Sequence, residues 1–200
     1  QGQGGSPAIT VRGAARLRLD GLELGPSPAE VLSCQADGGA APELELSRSR
    51  AHDGQGSGVY SRGCRVTVRR SALYANSNRG LSADSGGEIL VENSVIAYNR
   101  GGAVRLSGTG GRVRFSTLVY NGLIGSVGGV ECSTMGGGKL IDSSIVYGNG
   151  RGAGSSQVSP ACRLLRSAID EAAVANGADN RLRAAPDFVS GQDLRLRRGA

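Results

Sequence analysis

At 200 residues, with 34 Gly, 4% aromatics and no Trp, the chain has the length of one domain. The absence of a G-X-Y period excludes collagen, and the regular apolar alternation excludes disorder. Its net charge of +6 rests on Lys139 and 22 scattered arginines, without the clustered basic patch and interleaved aromatics of a nucleic-acid binder.

The arginine bias fits codon usage in a GC-rich bacterium. The sequence opens at Gln1 with no Met and no signal-like segment, and reads as a mature or trimmed piece. From Ile9 onward, short apolar strands alternate with Gly-rich corners, and one unit recurs. Its first strand gives the pairs Ile9/Val11, Leu32/Cys34, Val59/Ser61, Leu81/Ala83, Val104/Leu106 and Val130/Cys132. Polar residues alternate with these, so each strand has a single inward face. After a second apolar run comes a small residue, aligned as Leu22, Ser49, Ser71, Ser94, Ser116, Ser143 and Ser167 at steps of 22 to 27 residues. Two positions later stands an aliphatic ladder: Leu24, Ala51, Leu73, Ile96, Leu118, Ile145 and Ile169. Asn76, Asn99, Asn121 and Asn149 close the later copies. Insertions at 25–30, 36–42, 122–128 and 151–159 lengthen the early and late turns. Insertions in solenoids mark a functional side, so a site is expected beside the two later ones. After Ser167 the pattern decays into a segment suited to covering an open sheet edge. No run of 18 apolar residues occurs, so no membrane span is expected in this segment.

A period of 22–23 residues admits a leucine-rich repeat or a parallel β-helix. The first is echoed by Val91, Ser94, Ile96 and Asn99 but fails where Ser replaces Leu and Gly-rich corners replace a helix. Ladders of like residues suit the second, whose coils stack about 4.8 Å apart, with Asn in left-handed corners. The expected fold is therefore all-β, a right-handed parallel β-helix of about seven coils over 1–167. Residues 168–200 form a C-terminal cap within the same domain.

Cys34 and Cys64 lie 30 residues apart, as do Cys132 and Cys162, and each pair joins a strand end to the next apolar run. One coil plus a corner separates the members, which predicts disulfides Cys34–Cys64 and Cys132–Cys162. Four buried thiols are the alternative, and no ligand spacing supports zinc. Disulfides place the chain in an oxidising compartment, outside the cell or on its surface.

The repeat resembles those of bacterial secreted right-handed β-helix proteins of the pectin-lyase-like superfamily. The ending APDFVSGQDLRLRRGA is similar to that of the choice-of-anchor β-helix group, through Pro186, Asp187, Phe188, Asp193, Arg195 and Leu196, with Pro and Asp in reversed order. The resemblance implies a fold shared by lyases, hydrolases, esterases and adhesins, and for the lyases a calcium site of clustered Asp residues. No cofactor is expected; calcium is the alternative, unsupported by any motif here.

The outward row of the first strand reads Thr10, Ser33, Tyr60, Ser82, Arg105 and Glu131, so Arg105 and Glu131 form the one adjacent charged pair. With Asp142 nearby in sequence, these are the catalytic candidates; a surface ion pair is the alternative. Tyr98, Tyr120 and Tyr147 align over three coils, either as a ligand platform for sugar rings or as an internal aromatic stack. His52 reads as a solvated loop residue. The expected function is a noncatalytic extracellular module for adhesion, scaffolding or recognition of a polysaccharide or cell-surface glycan. A polysaccharide lyase or glycoside hydrolase is the alternative.

Overall fold

The computed structural model describes residues 5–108, 110–123, 127–135, 138–150, 155–170, 179–182, 185–190, 193–194 and 196–197. Among them there is no helix. The first coil supplies β1 (Ile9–Arg12), β2 (Arg16–Asp20) and β3 (Glu23–Leu24), and the second β4 (Leu32–Gln35), β5 (Glu43–Ser47) and β6 (Arg50–His52). The third holds β7 (Val59–Arg62), β8 (Arg65–Arg69) and β9 (Ala72–Tyr74), and the fourth β10 (Arg79–Asp84), β11 (Glu88–Glu92) and β12 (Val95–Ala97). The fifth has β13 (Gly102–Leu106), β14 (Gly110–Arg114) and β15 (Thr117–Val119), and the sixth β16 (Val127–Cys132), β17 (Lys139–Asp142) and β18 (Ile145–Tyr147). A seventh gives β19 (Ser156–Val158), β20 (Arg163–Leu165) and β21 (Ala168–Ile169), after which β22 (Arg181–Leu182) extends the third sheet.

Each coil thus contributes one strand to each of three parallel sheets, of seven, seven and eight strands. This is a parallel β-helix. The inward pairs expected on the first strand stack in register from Ile9/Val11 to Val130/Cys132. Inner side chains of all three sheets meet in one core that includes Leu44, Leu46, Leu73, Leu81, Ile89, Ile96, Leu106 and Leu118, all at most 1% exposed. Burying a Leu or Ile side chain stabilises by about 1.5–3 kcal/mol, so the three facing rows dominate the stability.

Hydrogen-bonded ladders stitch the corners. At the turn between the second and third sheets, Arg48, Arg70, Asn93, Phe115, Ser143 and Arg166 adopt positive φ. The following serines, Ser49, Ser71, Ser94, Ser116, Ser144 and Ser167, are buried. Each Oγ from Ser71 onward accepts from the backbone N–H of the serine one coil earlier, at 3.1–3.2 Å. Ser144, not Ser143, therefore belongs to the ladder. Two serines stand side by side, and the first takes the left-handed corner with its hydroxyl on Asp142. The aliphatic ladder shifts with it: Val146 pairs with Leu118 and Ile169, while Ile145 faces outward opposite Thr117.

The turn between the third and first sheets carries the asparagines. Asn76, Asn99, Asn121 and Asn149 are at most 1% exposed. Each Nδ2 donates to the Oδ1 of the next at 2.8–2.9 Å, and Gln157 closes the series by accepting from Asn149 at 2.9 Å. The left-handed residue here is the one before each Asn, namely Ala75, Tyr98, Tyr120 and Gly148. Placing Asn in that conformation was incorrect, because its amide must turn inward to bridge coils.

Both expected disulfides are present, with Cα–Cα distances of 6.1 Å for Cys34–Cys64 and 5.3 Å for Cys132–Cys162. Each ties a first-sheet strand to the corner that leaves the same sheet one coil later. A 30-residue loop closed this way stabilises by about 3–4 kcal/mol on the chain-entropy account.

Candidate binding face

The outward row of the first sheet runs in unbroken register from Thr10 through Ser33, Tyr60, Ser82 and Arg105 to Glu131. Arg105 Nε lies 3.8 Å from Glu131 Oε1 and 4.0 Å from Asp84 Oδ1. The stronger partner of Glu131 is Arg79, whose Nη2 donates to Oε2 at 2.6 Å from two coils away. It crosses Gly102, where a Cβ would come within 2.9 Å of Arg79 Nη1. Burial lowers the Arg79 pKa and Glu131 opposes that shift; an arginine remains charged regardless. Sequence reasoning missed Arg79, and the glycine it passes over is the only trace of it.

Asp142 does not join this group. It stands on the second sheet, where Arg166 donates three bonds of 2.7–3.0 Å to its two oxygens and holds its carboxyl below the usual range. Elsewhere on that face charges alternate in register. Arg16, Glu43, Arg65 and Glu88 form one row, Arg69, Glu92 and Arg114 another, and neighbours within each are ion-paired. Stacked coils would set like charges side by side, so alternation removes a repulsion, and each exposed pair stabilises by about 0–1 kcal/mol. These carboxylates are acceptors already occupied by guanidinium groups.

The outer face of the third sheet is different. In the runs Val95–Ala97, Thr117–Val119 and Ile145–Tyr147 the middle residue is buried inward, while the outward positions are half-buried except Ala97 and Val119, which are buried. Ala97, Val119 and Phe188 form the buried centre of a second cluster, packed against Val95, Tyr120, Ile145, Tyr147 and Leu194. Phe188 belongs to a C-terminal hairpin that bridges to Leu196 in antiparallel fashion; its Arg197 N–H donates to the Asp187 carbonyl at 2.8 Å.

Three of the five tyrosines meet along the edge of this face. Tyr98 and Tyr120 stack with centroids 5.6 Å apart and an interplanar angle of 21°. Tyr147 and Phe188 meet Tyr120 edge-on at 6.3 and 6.5 Å. The expected alignment of all three tyrosines fails at Tyr147, which pairs with Val119 and so sits one position earlier than Tyr98 and Tyr120 in its coil. In the left-handed row itself, Gly148 follows Tyr120, and a Cβ there would come within 2.9 Å of the Tyr120 ring. On the opposite side Ala75 precedes Tyr98, whose side chain is 42% exposed. Burial raises the pKa of Tyr98 and Tyr147, with Tyr120 adding to the first and Asp170 to the second. The tyrosines therefore lie outside the coil, clear of the main core.

His52 is not a loop residue. It ends β6, stacks on Tyr74 at 5.0 Å and 11°, and is 13% exposed. Its Nδ1 lies 2.7 Å from Asp53 Oδ2, and its Nε2 3.4 Å from Glu23 Oε1 without hydrogen-bond geometry. Of the insertions expected to flank a site, 124–126 and 151–154 lie outside the described residues.

Among the described residues no group of His, Cys, Asp and Glu could hold a metal ion, and no helix is long and apolar enough to cross a membrane. A sequence-family profile described as a right-handed β-helix region matches residues 32–172. No curated protein and no solved structure matches the chain.

Proposed function

The chain belongs to the right-handed β-helix family, and from that premise we propose that it is a noncatalytic extracellular module for glycan recognition. The observation that carries the reading is the stacked Tyr98–Tyr120 pair beside the third sheet, with Tyr98 42% exposed. An exposed aromatic ring offers the apolar face of a sugar a large contact at low conformational cost. The pairing of Glu131 and Asp142 with arginines favours binding over acid–base chemistry, since neither carboxylate stands unengaged. The two disulfides fit an oxidising compartment.

A glycan array followed by incubation of each hit with the protein tests this. Binding that falls about tenfold or more in Tyr98→Ala, with no cleavage products, is the expected result. Release of oligosaccharides from a hit would refute the noncatalytic reading. Binding indifferent to Tyr98→Ala would refute the site.

A further inference from the structure

The C-terminal hairpin leaves a half-open cleft beside the sheet it covers. Between it and the last coils lies a cavity of about 560 Å³. Its floor is one outward row of the third sheet, Ile145, Ala168 and Arg181, in register over three successive strands. Pro186 and Leu196 of the hairpin form the opposite wall. Cavities of this size at the junction of two structural units are the ordinary setting of small-molecule sites, with an apolar lining and a few polar groups.

The charges around it are unevenly committed. Arg166 is held by Asp142 and also faces Asp179, and Asp187 is paired with Arg197 at 3.4 Å. Arg181 has its backbone N–H on the Ser167 carbonyl, but its guanidinium has no acidic partner among the described residues. The cavity therefore offers a floor about two coil spacings long, roughly 10 Å, apolar at Ile145 and Ala168 and ending in a cation with no acidic partner among the described residues. Asp179 also lines the cavity and disfavours a second negative charge.

We propose that this cavity binds a small amphiphile with an apolar body and a single carboxylate. The body lies over Ile145 and Ala168 beneath Pro186 and Leu196, and the carboxylate meets Arg181. A charge-assisted hydrogen bond to a guanidinium at a partly exposed site adds about fivefold to tenfold in affinity.

Octanoate and its neutral counterpart octanamide are suitable probes, titrated into the full chain with methyl-labelled Ile, Leu and Ala and followed by NMR. The expected result is saturable shifts at the Ile145, Ala168 and Leu196 methyls, with octanoate about fivefold tighter than octanamide. That advantage should shrink at high salt. Arg181→Gln should bring octanoate to the octanamide affinity with the remaining methyl spectrum unchanged, and Arg181→Lys should restore part of the difference. Equal affinities in the wild type, saturable shifts confined to other methyls, or no saturable binding by either probe would each overturn the proposal.

Discussion

Replacing Asn99 with Ala tests whether the asparagine ladder, and not the apolar core alone, holds the coils together. The Asn99 Oδ1 accepts from the Asn76 backbone N–H at 3.1 Å and from Asn76 Nδ2 at 2.8 Å. Its Nδ2 donates to the carbonyls of Leu73 and Ala97 at 3.0 and 3.1 Å and to Asn121 Oδ1 at 2.9 Å. Truncation leaves two buried donors on Asn76 short of an acceptor and removes the donor to Asn121 Oδ1. A buried unsatisfied group costs about 1–3 kcal/mol, while under-satisfied carbonyls cost less. The loss should therefore be about 3–5 kcal/mol, against a total of about 5–15 for a domain. Ser94→Ala is the internal comparison: it removes one acceptor, for the Ser71 N–H at 3.2 Å, and one donor, to the Glu92 carbonyl at 2.8 Å. Its cost should be about 1–2 kcal/mol. Urea unfolding followed by circular dichroism gives both numbers, and a fall in m for Asn99→Ala would report coils that no longer unfold together. An Asn99→Ala variant within about 1 kcal/mol of wild type, or less destabilised than Ser94→Ala, would refute the ladder argument.

Two further outcomes follow from the C-terminal region. Phe188→Ala removes the hairpin's buried anchor but no core residue of the coils, so trypsin should cut at the tail arginines several-fold faster while the global unfolding midpoint barely moves; equal cutting rates would show that Phe188 does not anchor the hairpin. Asp170 has Oδ2 accepting from the Gly148 N–H at 2.7 Å and a buried Oδ1 without a partner among the described residues, and burial raises its pKa. The folded state thus binds this proton more tightly than the unfolded chain, so stability falls as pH rises from the ordinary carboxylate value through the raised one and stays lost above it. The stability difference between Asp170→Asn and wild type should therefore shift in favour of the variant across that interval in pH-dependent melts; a flat difference would contradict the assignment.

The inner architecture was readable because every coil repeats the same physical demand. Leu32, Val59, Leu81, Val104 and Val130 fill one inward row, and period-two alternation marks them without ambiguity. The errors arose where two residues of one kind compete for one register position. Ser143 and Ser144 both fit a serine ladder, and only the left-handed φ of Ser143 decides between them. Choosing wrongly by one residue turned Ile145 inward, since a slip of one exchanges the two faces of a strand. Tyr147 was misplaced by one position in the same way. Arg79 and Phe188 left no periodic signature. One reaches across two coils and the other returns from the tail, and neither relation is expressed in the repeat.

These errors also show where this fold can carry function. Inward rows, serines and asparagines are fixed by packing or by inter-coil hydrogen bonds, so little specificity can be written into them. The left-handed corners carry side chains with no such common role, Arg48 and Arg166 bonding to Asp20 and Asp142 of the preceding coil. Arg48, Arg70, Asn93, Phe115, Ser143 and Arg166 occupy one set, and Ala75, Tyr98, Tyr120 and Gly148 the other. Side chains ranging from none to an aromatic ring share the same backbone state. A left-handed conformation costs an L-residue about 1–2 kcal/mol, more readily tolerated in Gly or Asn than in a ring-bearing residue. Gly148 shows that the corner closes without a side chain, so the rings of Tyr98 and Tyr120 are not required by the turn. Their presence there, stacked and at one end exposed, is the feature the repeat does not account for, and it is the reason recognition is assigned to that edge of the third sheet rather than to the ion-paired faces.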